Sequence, residues 1–102
     1  MSILTAPFRL VFRYIKKQYL FSRIQSRNYD RRFEAVYALE DQFGPAAAPG
    51  LIYLLQHKDP EVRNDIAYTL ELITGKYNGD NQKKWQAWWK KNKERVQKKY
   101  YS

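Results

Sequence analysis

The sequence predicts an all-α fold, a short α-solenoid, and two observations carry that expectation. The first is residues 59–75, which open on Asp59-Pro60, close on Gly75 and hold a helical apolar stripe between them. Asp59 is a good N-cap, and Pro60 suits the first helical position, where a missing N–H costs nothing. Val62, Ile66, Tyr68 or Thr69, Leu70 and Ile73 fall near a 3.6-residue period, and Gly75 supplies the left-handed residue that ends a helix. The second observation is a match of the chain to itself at a displacement of 31 residues. Arg32, Glu34, Tyr37, Leu39, Glu40 and Gly44 stand where Arg63, Asp65, Tyr68, Leu70, Glu71 and Gly75 follow. A self-match of that length, built on helix, glycine and second helix, is the mark of an α-solenoid.

The repeated stretch resembles the bacterial HEAT-like repeats, in particular the short form named after the phycobilisome lyases. Their pattern runs roughly Asp-Pro-x-Val-Arg, two residues, Ala-Ala-x-Ala-Leu, then Gly. Residues 59–75 follow it well, and 28–44 follow it loosely, with Arg31 where Val is expected. The run from Thr74-Gly75 through Asp80 to Trp85, Trp88 and Trp89 is similar to the close of many bacterial HEAT-repeat domains. In that family the tryptophans lie back on the last repeat. The resemblance implies two HEAT-like helix pairs flanked by a basic amphipathic N-terminal helix and a long C-terminal helix. It implies little about activity, because such repeats serve lyases, DNA enzymes and adaptors alike.

Taken in order, residues 7–26 read as the first helix, with Pro7 tolerable at its start. On a helical wheel Phe8, Val11, Phe12, Ile15 and Tyr19 share one side, and Leu10, Tyr14 and Phe21 the adjoining sector. Arg9, Arg13, Lys16, Lys17 and Arg23 fill the remaining strip. The apolar arc is roughly 200° wide, against ~100° for packing on one layer. One side is therefore expected to cap the solenoid and the second sector to stay free for a partner. Phe8, Leu10, Arg13, Tyr14, Lys17 and Phe21 are the candidate partner-binding residues.

The second helix, about 29–42, is capped by Asn28 or Ser26 and presents Phe33, Val36, Tyr37 and Phe43 with Leu39. Gly44-Pro45 makes the turn into a third helix, about 46–57, with Pro49 in its first turn and Leu51, Ile52, Leu54 and Leu55 facing the core. His57, the one histidine, is expected as a solvated helix end. The fourth helix follows from Asp59. Arg32 and Arg63 repeat with the fold and are expected to serve it, by bonding to the neighbouring loop or an acid. Asn78-Gly79 supplies a turn and Asp80 a fresh N-cap for a last helix over about 81–98. There Trp85, Trp88 and Trp89, at i, i+3 and i+4, are expected to look toward the core with Leu39, Leu54, Ile66 and Leu70. The expected organisation is a docking or capping helix over 1–27, a repeat body over 28–98 and a tail over 99–102.

Composition narrows the function classes. At 102 residues the chain is one domain with a modest core. It has no cysteine, so disulfides, thiolate metal sites and thiol catalysis are out of reach, and a cytoplasmic location is compatible. The net charge of +9 is divided unevenly. Residues 1–27 carry six bases and no acid, residues 28–82 five bases and nine acids, and residues 83–102 eight bases and one acid. Two basic ends flank an acidic body, which points to an acidic protein face, an anionic membrane or a polyanion. Arg9, Arg13 and Lys16-Lys17 break the apolar run that a transmembrane helix would need.

Gly44, Gly75 and Gly79 fall at expected turns and Gly50 within the expected third helix, so no phosphate-cradling loop is expected, and the acids recur as caps and solvated faces. No cofactor, no metal and no small-molecule substrate is expected, and catalysis is not. Three classes stay open. The leading one is a small adaptor or accessory subunit that docks on a larger protein assembly through the first helix and the basic C-terminal end. The second is nucleic-acid binding through Lys90, Lys91, Lys93, Arg95, Lys98 and Lys99, interleaved with Trp88, Trp89 and Tyr100-Tyr101. The third is peripheral membrane binding, with the rings of the first helix in the interface.

Overall fold

The computed structural model describes the backbone of residues 2–101 and the side chains of residues 8–99. Within that span the fold is all-α. Five helices follow one another: α1 (Ser2–Ile24), α2 (Tyr29–Gln42), α3 (Ala48–Leu54), α4 (Pro60–Thr74) and α5 (Gln82–Tyr101). α1 packs on α2, α2 on α4, α4 on α3, and α3 on α5. The tail expected at 99–102 has only Lys99 among the described side chains, and the backbone of α5 runs on as helix to Tyr101.

The helix ends form where the local chemistry dictates. The Asn28 side chain accepts the Arg31 N–H at 3.1 Å, so Asn28, not Ser26, caps α2. The Asp59 carboxylate accepts the Glu61 N–H at 2.9 Å, with Pro60 behind it, and α4 ends at Gly75 with φ 73° and its N–H on the Glu71 carbonyl. α3 is shorter than the expected 46–57. Pro45 and Pro49 supply no N–H, so the chain enters through a 3-10 turn over Gly44–Ala47. It leaves through bonds from Leu55, Gln56 and His57 to carbonyls three residues back, which tighten the last turn. His57 then accepts the Asp59 N–H at its Nδ1, 3.0 Å away, and so is tied into the turn before α4. At α5 the cap is Asn81, which accepts the Lys84 N–H at 3.1 Å, while Asp80 turns away to pair with Arg63.

The core is continuous from α1 to α5. Leu39, Leu51, Ile66, Leu70 and Trp85 have no exposed surface, and Leu20, Phe21 and Ile24 close it from the α1 side. Thr69, rather than Tyr68, faces inward on α4. Trp85 donates its Nε1–H to the Gly79 carbonyl at 2.7 Å, which satisfies the one polar atom of a fully buried ring. Leu54, Trp88 and Trp89 are half-buried against the cluster. Val96 is buried as well, beside a hollow lined by Pro45, Ile73 and Trp88, so the lysine-rich half of α5 is held to the body at that point.

Arg32 and Arg63 sit at matching places in two matching networks. Each donates from Nη1 to a carbonyl six residues earlier, Ser26 for Arg32 and His57 for Arg63, both at 2.8 Å. Each aims its Nε at an acid further along the chain, Asp65 at 2.7 Å and Asp80 at 3.3 Å. Both guanidinium groups are therefore used by the fold. Arg32 is buried, and Glu61 completes its surroundings at 3.4 Å.

Candidate docking surfaces

α1 meets the body through its last two turns. Leu20, Phe21 and Ile24 are buried, and the Phe21 ring lies so close to α3 that a Cβ built on Gly50 would come within 2.5 Å of it. One and two turns before them, on the same side of the helix, are Lys17 and Arg13. The Arg13 guanidinium stacks 4.4 Å over the Phe43 ring and donates to the Gln42 carbonyl at 3.2 Å. Lys17 is half-buried, and that burial, followed by the charge of Arg13, holds its ammonium below the ordinary lysine range.

This orientation corrects the expected face of α1. Three of the six candidate partner-binding residues, Arg13, Lys17 and Phe21, are turned toward the protein's own body. Phe21 is 8% exposed and belongs to the core. Leu10 and Tyr14, of the sector expected to be free, are each more than half exposed, and so is Phe8. The larger surprise is the other side. Val11, Phe12, Ile15 and Tyr19, which share a side with Phe8 and read as the capping face, are each more than half exposed too. The physical reason is that long basic side chains lay their methylene stems on apolar surface, so a strip that looks polar on a wheel can face inward. Leu20 and Ile24, two apolar residues set within the basic strip, are the signal in the sequence that could have located the true inward side. Arg23 fixes the end of the exposed stripe, donating to the Tyr19 hydroxyl at 3.0 Å and pairing with Glu34 at 2.6 Å.

A second aromatic surface runs along α2 to α4. Tyr29, Phe33 and Tyr37 follow one another at ring separations of 6.1 and 4.9 Å, and Tyr37 meets Tyr68 edge-on at 6.4 Å. The Tyr37 and Tyr68 hydroxyls are hydrogen-bonded at 3.1 Å. That bond, followed by burial, pushes the Tyr37 phenol above its ordinary range. These rings line an open groove of about 230 Å³ with Val36 and Asp65. Phe33 and Tyr37 read from the sequence as inward-facing, and Tyr68 as an alternative to Thr69, whereas all three are exposed. Their periodicity is that of a buried face, but Ala35, Leu39, Ala67 and Leu70 already fill the space between the helices.

The basic end is less aromatic than its sequence suggests. Lys90, Lys91, Lys93, Arg95, Lys98 and Lys99 are exposed on α5, with Arg95 donating to Asn92 at 2.9 Å. Trp88 and Trp89 pack half-buried against the core, and Trp88 also lines hollows shared with Lys91, Arg95 and Lys99. Among the described residues no group of histidine or acidic side chains is arranged to hold a metal ion. No described helix is long and apolar enough to cross a membrane. Compared with known proteins, the chain matches no family model, no curated protein and no solved structure.

Proposed function

We propose that this chain is a non-catalytic adaptor or accessory subunit that docks on a larger assembly through the outward side of α1. The observation that carries the proposal is that the most regular apolar stripe in the sequence, Phe8, Val11, Phe12, Ile15 and Tyr19, points away from the chain's own core. A small domain that leaves so contiguous a stripe in water has a use for it. The body then acts as a holder. Its 31-residue spacing and the paired Arg32 and Arg63 networks support reading it as two HEAT-like helix pairs closed by Trp85. The acids support a scaffold as well: Asp59 is spent on a cap, and Glu34, Glu61, Asp65 and Asp80 on ion pairs. A cytoplasmic location goes with this reading.

The exposed cations of α5 favour a second reading, contact with nucleic acid phosphates, through Lys90, Lys91, Lys93 and Arg95. The packing of Trp88 and Trp89 on the core weighs against base stacking by those rings. Affinity capture of the tagged protein from native detergent extract, with and without nuclease, separates the two. Adaptor function predicts a stoichiometric set of proteins that survives nuclease and is lost with Phe12→Ser/Ile15→Ser. Recovery that collapses with nuclease would put the α5 reading first and remove the adaptor reading.

A further inference from the structure

We propose that the occupant of the α1 stripe is the surface of an anionic bilayer, with the helix lying in the interface rather than crossing it. This rests on the reading of α1 as a docking element. Three observations lead to lipid. The centre of the exposed face is wholly apolar, and from Phe8 to Tyr19 it extends roughly 17 Å at 1.5 Å per residue, in one straight line. Its edges are occupied by side chains with an apolar body and a polar tip: Tyr14 on one side, Arg9 and Lys16 on the other, all exposed. The helix carries no acidic residue, while the acids of the chain begin at Asp30, beyond its end. Apolar centre, amphipathic rim and a single sign of charge together make the cross-section of an interfacial helix on anionic headgroups.

The body is compatible with that posture. α1 is held by Leu20, Phe21 and Ile24 on the side opposite the stripe, so the rings enter the headgroup layer without breaking any core contact. Arg13, stacked on Phe43, and Arg23, paired with Glu34, are committed to the body, which leaves Arg9 and Lys16 to meet phosphates.

Flotation of the full chain with lipid vesicles tests this. Vesicles of phosphatidylcholine containing about one third phosphatidylglycerol should bind it at least tenfold more tightly than phosphatidylcholine alone, an advantage that shrinks as salt rises. Phe12→Ser/Ile15→Ser should weaken binding about a hundredfold with the circular dichroism spectrum unchanged. Arg9→Gln/Lys16→Gln should remove most of the preference for anionic vesicles. Lys90→Gln/Lys91→Gln serves as the control and should leave binding within about twofold. Wild type that ignores anionic vesicles overturns the lipid proposal. So does binding that survives Phe12→Ser/Ile15→Ser, or a concentration-dependent dimer through α1 without vesicle affinity. If vesicles ignore the wild type while Phe12→Ser/Ile15→Ser still loses its protein complex, the docking reading stands and only the lipid falls. If that variant loses neither, both fall.

Discussion

Arg32 and Arg63 occupy matching places 31 residues apart, yet burial separates them. Arg32 is 3% exposed and holds Asp65, while the pair of Arg63 with Asp80 is partly open to water. Replacing Arg32 by Met should therefore cost about 2 kcal/mol, because a half-buried carboxylate loses its cation. The same change at Arg63 should cost about 1 kcal/mol or less, as for an exposed pair. Urea unfolding of the two variants measures the difference directly, and equal losses would mean that burial does not set their roles. That both arginines serve the fold was legible from their repetition. Which of them is buried was not, because that depends on the turn at Ser26 folding over α2. The tyrosines give a pH prediction at the same scale. Tyr37 has its pKa raised in the folded chain, so its bond with Tyr68 contributes fully below the ordinary tyrosine range and is lost as pH rises through the raised value. In a spectrophotometric titration, Tyr68→Phe should bring the highest tyrosine midpoint back down, and an unchanged curve would deny the coupling.

Among the elements, α4 is the one that sequence reasoning recovers in full, since Asp59, Pro60 and Gly75 mark its ends by local chemistry alone. α3 was expected too long, because backbone donors missing at Pro45 and Pro49 act at a distance of a turn that composition does not display. For α1 the helix was legible and its orientation was not. A wheel records which residues share a side, whereas the inward side is chosen by the partner surface, here Phe43 for Arg13 and Gly50 for Phe21. Gly50 makes that contact testable. Alanine is ordinarily better than glycine inside a helix by ~1 kcal/mol. At Gly50 its methyl would meet the buried Phe21 ring, so Gly50→Ala should instead destabilise by about 2 kcal/mol. Adding Phe21→Leu should recover part of that loss. A gain in stability for Gly50→Ala alone would mean that α1 is not seated on α3 as described.

The whole molecule is an acidic helical body between two basic ends, with a continuous core that reaches every helix. Of the expected core, Leu39, Ile66, Leu70 and Trp85 are fully buried, so Leu70→Ala or Trp85→Ala should cost about 3 to 5 kcal/mol, read from the denaturation midpoint. The stripe on α1 has the same composition as a core and none of its burial, and the functional account turns on that contrast. The measurement that tests it most directly is thermal unfolding of Phe8→Ser/Phe12→Ser/Ile15→Ser beside the wild type. An outward stripe that exists for docking predicts stability within about 0.5 kcal/mol of the wild type and unchanged helicity. A loss of about 2 kcal/mol or more would place those rings in the core and contradict the account.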